Sequence, residues 1–302
     1  MSTPFRLRCR GVDIDAGRPM VMGVVNATPD SFSDGPAMAN RPAQFARVDE
    51  LVAAGADILD IGGQSAITGV PEISVDEEIE RITPVVERAV AAGAIVSIDT
   101  YRADVADAAL ALGAHIINDI SALKDPRMAE VLAARDAGYV LMHNPGRPKV
   151  RLTETDLYTD VVDAVVEFWS SALERLRAAG VADEAIILDF GPDFAKTPQQ
   201  TLQCLREWDR LTAFRRPLLM ALSRKDFIGT ALNLAPRERD EATLSAMVWI
   251  ASKVPSVVAR THRPLELRQA FDMLGFLDGR NDLHPDQRLD PSLWRQSGAP
   301  ST

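Results

Sequence analysis

Cysteine is nearly absent from this chain: Cys9 and Cys204 are the only two in 302 residues. That is too few for a disulfide framework or a thiolate metal site. The four histidines, His115, His143, His262 and His284, show no His-x-x-x-His or His-Glu spacing of the kind zinc sites use. No run of ~18 apolar residues occurs, so no membrane-spanning helix is expected. The opening Met1-Ser2-Thr3-Pro4-Phe5-Arg6 lacks a basic-then-apolar pattern, and the expectation is a cytoplasmic protein. A phosphate loop of the Gly-x-x-x-x-Gly-Lys type and a Gly-x-Ser-x-Gly elbow are both missing. Basic residues are the minority charge, 33 Lys+Arg against 43 Asp+Glu, for a formal net charge of −10. Such a surface repels nucleic acid and anionic lipid, so an anionic substrate needs a local cluster of cations.

What the chain does have is alternation. Short apolar runs rich in Val, Ile and Leu stand at Met20–Val25, Asp57–Ile61, Ile95–Ile98, His115–Ile117, Tyr139–Met142, Ile186–Leu188, Leu218–Leu222 and Ser256–Ala259. Runs apolar almost throughout suit strands buried on both faces. Helical faces lie between them: Phe45, Val48, Leu51 and Val52 share one, and Ile79, Ile82, Val85 and Val86 another. Val162, Val165, Val166 and Trp169 form a third, continued by Leu173 and Leu176. Gly55, Gly93, Gly113 and Gly180 each follow a helical stretch and precede a strand, where a left-handed C-cap is wanted. Repeated strand–helix units of this kind predict an α/β fold, a closed (β/α)8 TIM barrel in a single domain over 19–279. An open doubly wound sheet is the alternative, but no Gly-x-Gly-x-x-Gly follows the first strand. Residues 1–18 are expected to form a hairpin under the barrel, turning near Asp15-Ala16-Gly17. The polar, Pro-rich 280–302 reads as a tail.

Barrels do their chemistry where the strands end. Here the strands deliver Asn26, then Gly62-Gly63-Gln64-Ser65, Asp99, Asn118-Asp119, His143-Asn144, Asp189, Ser223-Arg224-Lys225, and Arg260-Thr261-His262. A lone Asp or Asn at a strand end is commonly a turn-former. This mixture, however, sorts into two halves. Asp99 and Asp189 follow uninterrupted apolar segments, and a buried carboxylate needs donors. A flat ligand rich in N–H groups, such as an aminopyrimidine, would supply them, with Asn118 matching its mixed edge. Lys225, Arg260 and His262 lie in the sector where barrels commonly hold phosphate, and could neutralise a diphosphate. Asn26 offers Mg²⁺ a hard oxygen, the rest of its shell coming from water and phosphate.

The stretch Met22-Gly23-Val24-Val25-Asn26-Ala27-Thr28-Pro29-Asp30-Ser31-Phe32-Ser33-Asp34-Gly35 resembles the first signature of dihydropteroate synthases. Asp60-Ile61-Gly62-Gly63-Gln64-Ser65 is similar to the second, and matching segments follow in family order to His262. The resemblance implies a barrel that joins hydroxymethyl-dihydropterin diphosphate to p-aminobenzoate with release of diphosphate. It implies that Asp99, Asn118, Met142, Asp189 and Lys225 hold the pterin. Asn26, Ser65, Arg260 and His262 would hold the diphosphate with Mg²⁺, and Phe194, Lys225, Asp226 and Arg260 would face the acceptor. Catalysis would fall to Asp99, Lys225, Arg260 and His262, in a protein that forms homodimers.

Three departures bear on the substrate. The usual Gly-Gly-Glu-Ser-Thr-Arg-Pro-Gly is Gly62-Gly63-Gln64-Ser65-Ala66-Ile67-Thr68-Gly69, and the usual Asp-Pro-Gly-x-Gly-Phe-Gly-Lys is Asp189-Phe190-Gly191-Pro192-Asp193-Phe194-Ala195-Lys196. The usual Lys-Ser after the seventh strand is Lys225-Asp226, and the family's serine there implies a seat for the acceptor's carboxylate. Like charges ~4 Å apart repel by roughly 4 kcal/mol at an effective dielectric of about 20. Three readings therefore stay open: a true synthase, a paralogue that uses another amine, and a pterin-binding protein without activity.

Overall fold

Two short strands, β1 (Arg6–Cys9) and β2 (Val12–Asp15), pair antiparallel at the start of the chain. Their turn is Arg10-Gly11, with φ of 49° and 73°, and not the expected Asp15-Ala16-Gly17. Two successive left-handed residues suit the twist of a two-residue hairpin. Asp15 Oδ1 instead accepts from Gly17 N at 2.9 Å and turns the chain toward the barrel. The computed structural model describes residues 6–28, 41–64, 70–146 and 157–293.

Eight parallel strands close the barrel. In chain order they are β3 (Met20–Asn26), β4 (Ile58–Gly62), β5 (Ile95–Asp99), β6 (Ile116–Asp119), β7 (Gly138–Met142), β8 (Ile186–Asp189), β9 (Leu218–Met220) and β10 (Val257–Thr261). Around the barrel they run β10-β3-β4-β5-β6-β7-β8-β9. The helices between are α1 (Arg41–Ala53), α2 (Val75–Ala91), α3 (Ala103–Ala111), α4 (Met128–Arg135) and α5 (Val161–Ala178). They continue with α6 (Pro198–Arg206), α7 (Trp208–Thr212), α8 (Asp226–Leu232), α9 (Asp240–Ala251) and α10 (Pro264–Leu277). The sequence thus yields the predicted TIM barrel. Its strands run one or two residues further than the apolar runs at most C-terminal ends, so Asn26, Asp99, Asn118 and Asp189 belong to the ladders themselves. Strand β7 ends with its apolar run at Met142, and β9 stops short, at Met220 rather than Leu222.

Gly55, Gly93, Gly113 and Gly180 all have positive φ, the backbone the helix–strand turns require. At the helix starts, Ser74 accepts from Glu77 N, Asp160 from Val162 N and Asp163 N, and Thr197 closes a capping box with Gln200. Two apolar layers result. Between barrel and helices pack Val21, Leu59, Ile82, Val96, Leu141, Trp169 and their neighbours. Inside the barrel, Met20, Met22, Ile58, Ile116, Val140, Ile187, Leu219 and Val258 fill the lumen, and Leu7, Cys9 and Ile14 of the hairpin close it from below. Full burial of one such side chain is worth about 1.5–3 kcal/mol, so the plugged end is rigid and chemistry is left to the other. Trp249 on α9 is 44 % exposed, which removes it from the core.

Candidate active site

Parallel pairing aligns the functional residues at one rim. Asn26 is in register with Gly62, Gly62 with Asp99, Asp99 with Asn118, and Met142 with Asp189.

The deepest group is Asp60, one that the strand-end reading overlooked. It is fully buried in β4 between Leu59 and Ile61, and every oxygen is used. Its Oδ1 accepts from Ser97 Oγ at 2.7 Å, and its Oδ2 from Asn118 Nδ2 at 3.0 Å and from Arg260 Nε at 2.6 Å. Arg260 Nη2 then donates to Asp99 Oδ2 at 3.1 Å. The sequence signal was available: a carboxylate inside an apolar strand must find charged or hydrogen-bonding partners. The two halves of the rim also meet directly, at Asp60 and Asp99. Arg260 touches both, because a carboxylate as buried as Asp60 needs a cation within reach.

Burial pushes the Asp99 carboxyl well above the usual carboxylate range, with Arg260 opposing and Asp60 adding to the rise. Asp189 is likewise raised by burial, to about 6, although Gly191 N donates to its Oδ1 at 2.7 Å and Lys225 lies close. Gly191 has φ of 68°, and a Cβ there would stand 2.5 Å from the His143 carbonyl oxygen. Only glycine fits that turn.

Lys225 caps the start of α8, and its Nζ lies 4.4 Å above the Phe194 ring centroid, a cation–π contact. Burial lowers its pKa, while Asp193 and Asp189 act in the other direction. Behind Phe194, the buried Lys196 ammonium sits 2.9 Å from His143 Nδ1 and donates to the carbonyls of Phe194 (3.2 Å) and His143 (3.4 Å). His143 falls to about 2 and Lys196 to about 8, burial being the main cause in both. Lys196 and His143 therefore pin the Phe194 loop.

His262 Nδ1 lies 2.9 Å from Ser223 Oγ, and the His262 carbonyl accepts from Arg47 Nη2 at 2.9 Å. The Ser223 contact fixes the ring. Asp226 does not present the bare charge expected of it, since Arg239 Nη1 donates to its Oδ1 at 3.0 Å. The repulsion foreseen from Asp226 is offset accordingly. Asp119, also at the rim, is structural: it accepts from Ser121 N, Leu123 N and Tyr139 Oη. Ser65 and the Ala66-Ile67-Thr68 stretch lie outside the described residues.

Among the described residues, no group of three or more His, Cys, Asp or Glu could hold a metal ion. Asn26 offers one hard oxygen donor at the rim, which fits an Mg²⁺ completed by substrate oxygens and water, not a protein-built cage.

A barrel whose strand ends gather buried carboxylates, an amide and cations at one mouth is an enzyme of the α/β-barrel class, built for a polar heterocycle joined to an anion. Residues 22–262 match the model of the family described as pterin binding enzyme. The chain is 38% identical over 269 residues to the dihydropteroate synthase of Bacillus subtilis, covering 88% of this chain and 91% of that one. It is equally 38% identical, over 275 residues, to a Mycobacterium tuberculosis protein named inactive dihydropteroate synthase 2, covering 89% and 86%. The structure of Xanthomonas albilineans dihydropteroate synthase with 4-aminobenzoic acid superposes with a TM-score of 0.83 at 34% identity, covering 91% of this chain and 99% of that one. The chain belongs to the pterin-binding enzymes, in the dihydropteroate synthase family, whose members are transferases.

Proposed function

We propose that this chain transfers the dihydropterinylmethyl group of hydroxymethyl-dihydropterin diphosphate to an arylamine, p-aminobenzoate being the acceptor on which relatives are solved. The observation that carries the reading is the chain Asn118–Asp60–Arg260–Asp99, with Asp189 and Lys225 beside it. Asp99, Asn118 and Asp189 offer acceptors to the N–H groups of a pterin, and Lys225 covers its ring face. Arg260 keeps Nε on Asp60 and Nη2 on Asp99, and would offer Nη1 to the diphosphate, beside His262.

The methylene–oxygen bond breaks heterolytically, its electron pair leaving with the diphosphate. Asp99 and Asp189 stabilise the resulting pterin carbocation, while Arg260 and His262 stabilise the departing anion. The amine nitrogen then bonds to the methylene carbon and releases a proton to solvent. No covalent bond to the enzyme forms. Asn26 would hold Mg²⁺, which supplies charge neutralisation for the leaving group. The enzyme is cytoplasmic in this reading. It pairs as a homodimer through the face where α9 and α10 expose Trp249, Met273 and Phe276, with sedimentation as the check.

The test mixes the protein with pterin diphosphate, Mg²⁺ and p-aminobenzoate, and follows dihydropteroate and diphosphate, expected in equal amounts. Asp99→Asn should remain folded and lose turnover. Pterin binding without any diphosphate release would instead support the inactive reading, which the equally similar mycobacterial relative favours.

A further inference from the structure

The β8–α6 and β9–α8 loops close the rim between the pterin-facing strands β4–β8 and the diphosphate-facing β10 and β3. An acceptor entering from that side meets Phe194, Lys225 and the first turn of α8. The amides of that turn are already occupied by the chain itself. Asp193 Oδ2 accepts from Asp226 N at 2.5 Å, and the Phe227 amide also eases the Asp193 charge. Thr201 Oγ1 stands 3.2 Å from Asp193 N and anchors the loop from below.

Asp193 holds this position in an unusual backbone conformation. Its φ is 63°, and Ala195, two residues on, has φ of 49°. A left-handed residue other than glycine costs roughly 1–2 kcal/mol, less for Asp than for Ala. The loop thus keeps a shape that glycine would take freely, with a carboxylate added at its tip. The nearby cations do not offer themselves to a newcomer. Lys196 is buried on His143 and Phe194, Arg239 is buried on Asp226 and two carbonyls, and Lys225 lies between Asp189 and Asp193. The carboxylates stay in the same cluster: Asp193 Oδ2 rests on the Asp226 amide, and Asp226, paired with Arg239, keeps its side chain 52% exposed.

We propose that Asp193 is a specificity-determining residue: it fills the amide seat at the start of α8 and selects against acceptors that carry a carboxylate. The acceptor class is then an aromatic amine whose far end is neutral, such as a carboxamide, with p-aminobenzoate used poorly. This rests on the transferase reading above and narrows its second substrate.

The experiment compares p-aminobenzoate with p-aminobenzamide, which differ in charge and little in shape. With saturating pterin diphosphate and Mg²⁺, the wild type should show a kcat/KM about tenfold higher for the amide, a modest fraction of an unscreened like-charge repulsion. Asp193→Gly, which relieves the backbone, and Asp193→Asn, which keeps its shape, should each move the ratio about tenfold toward the acid, chiefly through KM. A wild type that prefers the acid, or a ratio unmoved in both variants, overturns the proposal. The same two amines are also titrated calorimetrically into protein carrying hydroxymethyl-dihydropterin, which has no leaving diphosphate. That binding arm should show the same preference and the same reversal. A protein that shows them while turning over neither amine upholds the selection and removes the transferase reading; binding of neither amine overturns the selection.

Discussion

Arg260 Nε and Asp60 Oδ2 stand 2.6 Å apart although 200 residues separate them in the chain. The contact joins the last strand of the barrel to its second, and it aims a guanidinium that also reaches Asp99. Replacing Asp60 should therefore act on rate and on stability together. Asp60→Ala strands a guanidinium that is only 23 % exposed, and should destabilise the fold by about 3 kcal/mol in urea denaturation. Asp60→Asn keeps hydrogen bonding to Ser97 and should unfold less, yet lower kcat on the order of 100-fold by misaiming Arg260. A normal kcat in the Asn variant would show that Arg260 needs no such anchor.

Asp189 gives the protein a pH signature. Its folded pKa, about 6, exceeds the ~3.9 of an unfolded aspartate, so the folded state keeps a proton that the unfolded state has released. The stability this contributes is fully present below about pH 4 and is lost as pH rises through about 6. Wild type minus Asp189→Asn, measured by urea midpoints across that window, should decline with rising pH. Turnover should run the other way, increasing through about pH 6 as the carboxylate that faces the cation ionises. Parallel pH profiles for the two proteins would contradict the assignment.

Lys196 should matter more to the acceptor than to the pterin. Lys196→Met leaves His143 Nδ1 and the Phe194 carbonyl without their shared donor, a loss of about 2 kcal/mol. With the Phe194 loop loosened, KM for the amine should rise while pterin affinity, read by calorimetry, stays near wild type. Equal loss of both would mean that the lysine supports the whole mouth.

Removal of divalent cations should slow diphosphate release and leave the fold intact, since Asn26 alone does not build a cage. Chelation followed by Mg²⁺ add-back, with the thermal midpoint recorded alongside, checks both statements. A fall in the midpoint on chelation would point to a structural metal instead.

Much of the barrel was legible before any coordinates. Strands buried on both faces leave continuous apolar runs, and helices ending on Gly55, Gly93, Gly113 and Gly180 leave regular punctuation, because both are local consequences of backbone geometry. The rim residues Asn26, Asp99, Asn118 and Asp189 could be read from the same pattern, since each follows directly on an apolar run. Asp60 escaped because it lies inside such a run, where its meaning depends on partners from β5, β6 and β10. The hairpin turn was misplaced at Asp15-Ala16-Gly17 because that tripeptide is as good a turn-former as Arg10-Gly11, and only pairing between β1 and β2 distinguishes them.

By itself, then, the amino-acid order determined the number of strand–helix units, their closure into a barrel and the set of chemical groups along one rim, because periodicity and capping act within a few residues. Which of those groups neutralise one another was decided only in three dimensions: Arg260 on Asp60 and Asp99, Arg239 on Asp226, Asp193 on the amides of α8. Those pairings are long-range, and desolvation enforces them. A charge taken out of water must meet its partner wherever the closed barrel happens to bring one.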